Sequence, residues 1–478
     1  MVLVIEHLVT RYDSGKGVDK VLAYLNEKGY SPVILSAKKS FLSILGPGVT
    51  PDGRETPPGR IGGVRPRGRQ LTLGGDDGAP LGGDVFYTES SAGALFLLAY
   101  PPEAPEVDFV VEDTKGERRL VSPKPSDTGR IEIGFIGDSS GVNSLDSFQD
   151  AVSEAIHTLD GATDWTTLVP RDRRFRHLTE DSNVQFVSAQ TISDKELESV
   201  RMLENAVRKE VCMTLKRAGG MLLADAVKSF PPEEAAASVV LELVTAGLID
   251  QQYVVICRKT SNQVNRLASK GAVDHMAAAG ILCACGQPIR EERIEELLTP
   301  TALLKRFLDG SYWTSVLLVR ELKALGIPTD RVILNRREGS EEVDAFVDLD
   351  GNLVMFELKD DQFSMGHAYA FGARIAEYRP EYAVIVAARG VAPEVKSHFG
   401  RVEPDSALVF VESLDGLGLK LNEIISDIRA RRALEIFDSL RPMTRTESEF
   451  VQTMSRRVGL SASSMRRKGR PRRAWISM

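Results

Sequence analysis

The sequence predicts a multidomain α/β protein. A chain of 478 residues is long enough for about three domains. Its N-terminal part alternates short apolar runs of strand length with helical patterns, and residues 341–362 alternate apolar and acidic side chains on both sides of a turn. The predicted domains and connections are residues 1–195, 196–270, 271–299 (a connector), 300–415 and 416–478 (a helical extension with a basic tail).

The composition predicts a soluble cytoplasmic protein, with 42% apolar and 27% charged residues. No run approaches the ~20 apolar residues that cross a bilayer, and the N-terminus lacks the features of a signal peptide. Four cysteines without a framework spacing suit a reducing compartment. The net charge is −7, but Ser455 to Met478 contains seven Arg, one Lys and no acid; this +8 stretch leaves −15 for the rest.

Residues 1–195 predict a Rossmann-like α/β domain with a mostly parallel sheet, because strands and helices alternate. The predicted elements are the strands Val2–Ile5, Pro32–Leu35, Asp84–Tyr87, Asp108–Val111 and Ile131–Ile136 and the helices Val18–Lys28 and Ala92–Leu98. Residues 46–84 interrupt the pattern with twelve Gly and six Pro. They are predicted to be an insertion that is either disordered or covers a ligand.

A glycine-containing turn, Gly134 to Gly141, follows a predicted strand and precedes a helix. Backbone amides at such a turn are able to bind a phosphate, so a small nucleotide effector is one interpretation. The favoured interpretation is an ordinary strand-to-helix turn, because the segment does not contain the GxGxxG fingerprint.

Residues 196–270 predict a winged-helix-like domain. The predicted elements are the helices Glu196–Lys216, Met221–Lys228 and Glu233–Ala246 and the strand Gln252–Arg258. A DNA-reading third helix would expose basic or amide side chains, yet this helix carries Glu233, Glu234 and Glu242 and no basic residue. We therefore predict a packing or dimerisation unit, in which any DNA contact comes from the wing.

Four residues between 255 and 285 offer ligands of the zinc type: Cys257, His275, Cys283 and Cys285. The Cys283-x-Cys285 spacing is shorter than the usual CxxC knuckle, and His275 stands alone. Buried thiols are therefore the favoured interpretation, since a free cysteine behaves as a small hydrophobe, and a structural zinc ion is the disfavoured alternative.

Residues 341–362 predict a β-hairpin with a charged face. Asp350-Gly351-Asn352 has strong turn chemistry. Glu357 and Lys359 share one face of the second strand, and Asp344 lies across the hairpin from them. Two carboxylates on one buried face repel unless they are paired or bind a metal. Asp344 and Glu357 are therefore predicted to hold Mg²⁺ or Mn²⁺, with Lys359 beside a metal-bound water.

Asp344, a twelve-residue spacer and Glu357-x-Lys359 resemble the site of the PD-(D/E)xK, or restriction-endonuclease-like, nuclease superfamily. The flanking predicted elements follow the family's αβββαβ order: helix Tyr312–Leu325, strand Arg331–Arg336, the hairpin, helix Met365–Tyr378 and strand Tyr382–Ala388. The resemblance covers residues 300–412. Many members carry a metal-binding Glu on the first helix, where this sequence has Thr314. Either the metal has fewer protein ligands here, or Glu321 or Glu342 replaces the missing Glu as a ligand.

Further residues are assigned to substrate contacts. Gln362 is a candidate for holding the attacking water, with capping of the next helix as the alternative. Arg374 is a candidate for binding a phosphate, with a surface arginine as the alternative. The basic tail suits contacts with phosphates without sequence choice, through the residues Arg466, Arg467, Lys468 and Arg470.

These residues together predict a metal-dependent endonuclease that hydrolyses DNA. The domain order resembles that of prokaryotic defence nucleases, including CRISPR-associated effectors that place a Rossmann-like nucleotide-sensing domain before such a nuclease. This resemblance implies a ligand-regulated enzyme, and a homodimer, because many such nucleases cut duplexes as dimers. The alternatives are a non-enzymatic winged-helix regulator or scaffold with a degenerate nuclease fold, and a nuclease that cleaves RNA.

Overall fold

A computed structural model of the chain describes most of the sequence and divides it into two compact units. The described residues are 3–13, 18–34, 82–87, 93–100, 109–112, 118–121, 128–159, 161, 163–180, 184–228, 236–338, 341–440, 453–454 and 458. The first unit comprises the described residues up to Pro170 and those from Glu423 onward, and the second comprises Arg171–Asn422. The boundary between the two units therefore lies at residues 170–171, whereas the sequence predicts a domain boundary at residue 195.

The first unit is built on an antiparallel sheet. Its strands are β1 (Val4–Asp13), β2 (Gly82–Tyr87), β3 (Gly93–Tyr100), β4 (Phe109–Glu112), β5 (Arg118–Val121), β6 (Thr128–Gly137) and β7 (Thr166–Thr167). Five of them form a sheet in the order β2-β3-β6-β1-β7, and β4 and β5 form a separate hairpin. Every pairing between these strands is antiparallel. The prediction of a mostly parallel, Rossmann-like sheet is therefore wrong for the described residues.

The physical reason lies in β3, which the sequence predicts as the helix Ala92–Leu98. Leu95, Leu97 and Ala99 pack in a core on one side of the sheet, while Ala94 and Phe96 pack in a core on the other. A strand buried on both faces has no polar period, so its apolar run is indistinguishable from that of a short buried helix. Without a crossover helix here, β2 and β3 pair as antiparallel neighbours.

Helices cover the two faces of this sheet. Helices α1 (Val18–Glu27) and α2 (Asn143–His157) pack on one face. The C-terminal helix α13 (Leu417–Leu440) supplies Ala433, Phe437 and Leu440 to the core on the other face. Part of the predicted helical extension is thus a layer of the first unit. Most of the predicted 46–84 insertion, the strand residue Leu35 and the basic tail lie outside the described residues.

The second unit contains ten helices and two sheets among its described residues. These ten helices are α3 (Arg173–Glu180), α4 (Asp194–Ser199), α5 (Ala206–Ala218), α6 (Leu223–Val227), α7 (Ala236–Thr245), α8 (Lys270–Ala278), α9 (Ala302–Leu308), α10 (Tyr312–Ala324), α11 (Met365–Tyr378) and α12 (Pro393–Val402). No described helix in either unit is both long and apolar enough to cross a bilayer.

A four-stranded antiparallel sheet packs with helices α5, α6 and α7. Its strands are β9 (Met221–Leu222), β10 (Ile249–Ile256), β11 (Gln263–Leu267) and β12 (Arg293–Pro300), in the order β11-β10-β12-β9. Strands β10, β11 and β12 follow α7, but β9 lies between α5 and α6 where the sequence predicts the start of a helix, and the long predicted first helix is broken before Ala206. Strand β12, predicted as part of a connector, is central in this sheet.

The six-stranded sheet organises the C-terminal part of the second unit. Its strands are β8 (Gln185–Ser188), β13 (Val332–Glu338), β14 (Glu341–Leu349), β15 (Asn352–Lys359), β16 (Tyr382–Ala387) and β17 (Ala407–Val411). Strands β13, β14 and β15 pair antiparallel, whereas β15, β16 and β17 pair parallel. The predicted αβββαβ order of elements is confirmed, and β8 adds an edge strand that the sequence places in the N-terminal domain.

Candidate active site

A tight turn sets the register of the β14–β15 hairpin. Leu349 pairs with Asn352, so only Asp350 and Gly351 form the loop. Both have positive φ, +48° at Asp350 and +81° at Gly351, as a type I′ turn requires. Asp348 accepts a hydrogen bond from the Gly351 N–H at 3.0 Å. The register that follows pairs Ala345 with Phe356, which places Asp344 next to Glu357.

Asp344, Glu357 and Lys359 converge on one face of the sheet, as predicted. The Lys359 Nζ atom lies 3.0 Å from Glu357 Oε1 and 3.4 Å from Asp344 Oδ2. Asp344 Oδ2 also accepts the backbone N–H of Leu358 at 2.6 Å. This bond ties the Asp344 carboxylate of β14 to the β15 backbone, so that side chain is held by main chain as well as by charge.

Burial governs the electrostatics of this cluster. Glu357 is 4% exposed, while the side chains of Asp344 and Lys359 are 19% and 28% exposed. Burial, and then repulsion from Glu357, raises the pKa of Asp344 to about 6. Burial lowers the pKa of Lys359, but the facing carboxylates of Asp344 and Glu357 outweigh it and leave that pKa raised. Lys359 is therefore an ammonium ion that reaches solvent beside a buried carboxylate pair.

Arg374 completes the cluster from helix α11. Its guanidinium donates to Glu357 Oε2 at 2.7 Å, and its side chain is 15% exposed. The sequence predicts that Arg374 binds a phosphate, and in the structure its guanidinium is paired with the Glu357 carboxylate. The helix packs its apolar residues on the sheet face that carries Met355, and Glu357 lies two residues further along the same face. This geometry places Arg374 over Glu357.

The remaining predicted site residues lie apart from this cluster. Glu342 pairs with Arg337 of strand β13 at 2.9 Å. Gln362 is exposed, and its backbone N–H donates to Asp361. The four tail residues assigned to nucleic-acid binding, Arg466, Arg467, Lys468 and Arg470, lie outside the described residues.

Two positions of helix α10, Thr314 and Glu321, were candidates for a further metal ligand, and neither brings a carboxylate to the cluster. Thr314 is buried and donates its hydroxyl to the Ser311 carbonyl at 2.7 Å. Glu321 pairs with Arg320 at 3.3 Å. The carboxylates of Asp344 and Glu357 are therefore the donor set at this site among the described residues.

These two carboxylates fit a hard divalent cation. Their oxygens already converge on one positive charge, the Lys359 ammonium. Mg²⁺ prefers oxygen ligands and is commonly held by one or two carboxylates, with waters and substrate phosphate completing its shell. Asp344 and Glu357 would hold such an ion, and Arg374 leaves Glu357 Oε1 facing the cluster by binding Oε2.

In the turn after β6, a side-chain carboxylate occupies one of the backbone amides that a phosphate would use. Asp138 lies there and its carboxylate accepts the backbone N–H and the hydroxyl of Ser140. A carboxylate at this position also repels an anion. The structure thus gives this segment the features of an ordinary strand-to-helix turn.

No protein-family model and no curated protein match this sequence. Protein VC1899 from Vibrio cholerae is similar at 14% identity over 55% of this chain and 63% of that protein, with a TM-score of 0.32. This chain therefore spans less than two thirds of that protein. A repair endonuclease from Pyrococcus abyssi is similar at 13% identity over 38% of this chain and 95% of that protein, with a TM-score of 0.16. Likenesses of this degree assign neither a fold nor a function.

Proposed function

We propose that this protein is a metal-dependent nuclease that hydrolyses phosphodiester bonds of DNA. One observation carries the proposal: Asp344, Glu357 and Lys359 from two neighbouring strands converge within hydrogen-bonding distance on a buried sheet face. Lys359 and Arg374 balance the charge of the two carboxylates, yet burial and repulsion from Glu357 still raise the pKa of Asp344 to about 6, a perturbation typical of functional sites. The αβββαβ surroundings match the order of elements in which such a set acts as a nuclease site.

Each side chain has a distinct role in this proposal. Asp344 and Glu357 would hold a Mg²⁺ ion, which when bound would supply Lewis-acid stabilisation of the phosphate and a water of lowered pKa. Lys359, kept protonated by the carboxylates, donates hydrogen bonds and offsets negative charge that develops on the phosphate. The oxygen of water bonds to phosphorus and one P–O ester bond breaks. The proton that the water loses is balanced by the proton that the leaving oxygen takes up.

Arg374 acts as a positioning residue in this scheme. By binding Oε2 of Glu357 it fixes the rotation of the carboxylate and keeps Oε1 toward Lys359 and Asp344. A fixed carboxylate presents its ligand oxygen without an entropic cost at the moment of binding.

The same proposal includes regulation: the first unit would respond to a ligand and control the nuclease, as in a defence effector. The uneven charge of the chain supports a separate substrate-binding function for the tail, since its basic residues suit DNA while the rest of the chain is acidic. A nucleotide effector is proposed for the first unit as a whole and not for the turn at Asp138.

The decisive experiment is cleavage of supercoiled plasmid, linear DNA and RNA with Mg²⁺ or Mn²⁺, with and without added nucleotides. We expect metal-dependent cutting of DNA that falls about 100-fold or more in Lys359→Ala and in Asp344→Asn, because each removes a group acting on the reacting phosphate or its metal. Lys396→Ala is the matched control: Lys396 pairs with Glu412 at 2.7 Å in the same unit, outside the site. It should cut like the wild type.

Different outcomes separate the alternatives. Equal cutting by wild type and both site variants would assign the activity to a contaminant. Cutting of RNA but not of DNA would show that the protein is a ribonuclease. A wild type that is inert under all conditions and binds no Mg²⁺ by calorimetry would favour the scaffold, the candidate that Thr314 supports by leaving helix α10 without a carboxylate ligand.

A further inference from the structure

We propose a structural zinc site in the second unit, formed by Cys257, Cys283, Cys285 and Glu292. The three sulfurs and one carboxylate oxygen all lie within 4.8 Å of one another. The ligands are contributed by the end of strand β10, by the loop after helix α8 and by the segment before strand β12. This site is separate from the Asp344 cluster and does not depend on the nuclease proposal.

The backbone at Cys257 is directed toward its sulfur. The Thr260 N–H donates to the Cys257 sulfur, with N and Sγ 3.4 Å apart. An N–H donor at this position suits a thiolate, which is the form of cysteine that binds a metal.

The two turns that bear the sulfurs are closed by similar backbone bonds. Cys257 N–H donates to the Asn262 carbonyl at 2.9 Å, and Cys283 N–H donates to the Gln287 carbonyl at 2.7 Å. Each turn contains one residue with positive φ, Ser261 at +59° and Gly286 at +90°. The two turns are therefore tight loops, and the sulfurs that they carry lie close together.

Glu292 gives the second, independent reason for a cation. Its side chain is in a residue only 4% exposed. Its carboxylate accepts the Arg258 N–H at 2.6 Å and lies 3.1 Å from the Cys285 sulfur. Among the described residues no Lys, Arg or His forms a salt bridge with it, and a buried carboxylate without a counter-charge is expensive. A divalent cation between this oxygen and the sulfurs would supply the missing charge.

The choice of zinc follows from the ligand set. Tetrahedral Zn²⁺ takes sulfur at about 2.3 Å and carboxylate oxygen at about 2.0–2.2 Å, which places neighbouring sulfurs about 3.8 Å apart. The observed cluster lies within this scale. Soft thiolates select zinc over Mg²⁺. Four protein ligands leave no open position, so the site is structural and not catalytic.

A small core explains why this region needs a metal. The segment from Cys257 to Glu292 leaves β10 and returns as β12, and it contributes four residues, two of them cysteines, to a buried cluster of five. Segments below about 40 residues rarely bury enough apolar surface to hold a fold without a metal or disulfide. His275, the histidine that the sequence offers as a ligand, is exposed on helix α8. Glu292 supplies the fourth ligand in its place.

The test is the metal content of the full-length protein, purified without chelators from zinc-supplemented cells. We expect about one zinc per chain by elemental mass spectrometry. Exchange with Co²⁺ should produce a sulfur-to-cobalt charge-transfer band and the intense visible d–d bands of a tetrahedral thiolate site. Neither measurement depends on nuclease activity, so it remains informative if the proposed nuclease function fails.

Cys283→Ser and Glu292→Gln should lower the bound zinc, and Cys283→Ser should weaken the charge-transfer band. Cys212→Ala is the matched control, because Cys212 is buried in helix α5 outside the cluster; it should retain the metal. If Cys283→Ser does not fold, the wild-type zinc content and cobalt spectrum decide alone. A metal-free wild type that gives no cobalt bands, iron in place of zinc, or a disulfide between any two of the three cysteines would overturn the proposal.

Discussion

Glu357 is shared by two basic side chains, and each of its oxygens has a different partner. Lys359 lies 3.0 Å from Oε1, and Arg374 lies 2.7 Å from Oε2. With Asp344 the cluster holds two negative and two positive groups, so it is neutral without a metal. A buried set of this kind depends on every member, because removing one partner leaves a charge without compensation.

Arg374→Ala should therefore destabilise the protein by about 2 kcal/mol, the scale of a hydrogen bond to a charged group. Urea unfolding followed by circular dichroism measures the change. Arg389→Ala is the control, because Arg389 forms a mainly exposed pair with Asp361, and it should cost less than about 0.5 kcal/mol. Equal losses in the two variants would show that the Arg374 pair contributes no more than a surface contact.

At the scale of elements, the sequence predicted the C-terminal sheet well and the N-terminal sheet poorly. Helix Met365–Tyr378 and the hairpin were predictable because capping, turn and alternation signals agree there. Strand β3 was not, since burial on both faces removes its alternation. The contact of Arg374 with Glu357 was not predictable, because seven-residue spacing identifies a shared helix face but not the strand residue that the face covers.

The turn at Gly351 provides a test of how the hairpin is held. Gly351→Ala should destabilise the protein by about 1 kcal/mol, because a Cβ atom is strained at φ +81°. Gly416→Ala is the control: no atom lies within 4 Å of its added Cβ and its φ is not positive. It should change stability by less than about 0.5 kcal/mol. Chemical denaturation of both variants gives the comparison, and an unaffected Gly351→Ala protein would refute the assigned turn.

At the scale of the whole molecule, the charge is strongly divided along the sequence. The stretch from Ser455 to Met478 carries +8, and the rest carries −15. Two interpretations follow from this asymmetry: the tail binds phosphates, or it neutralises acidic surface of its own chain. Salt dependence separates the two, because each phosphate contact releases counterions.

Removal of residues 459–478 deletes five Arg and one Lys. If the tail binds DNA, the slope of log affinity against log salt should decrease in magnitude by up to about 5, at about 0.9 per contact. Fluorescence anisotropy with a labelled duplex measures it across salt concentrations. Tighter DNA binding by the shortened protein would show instead that the tail covers acidic surface.

In the described part of the chain, the first unit is interrupted in the sequence by the second unit, Arg171–Asn422. Its sheet comes from residues before Pro170, but Ala433, Phe437 and Leu440 complete one of its two cores. During synthesis this face of the sheet cannot be covered until the chain has been made through helix α13. The described residues of the second unit form one continuous stretch, so they have all been synthesised before the first unit is complete. Vectorial folding would therefore begin in the middle of the gene and finish at both ends, with β3 exposed to chaperones in the interval.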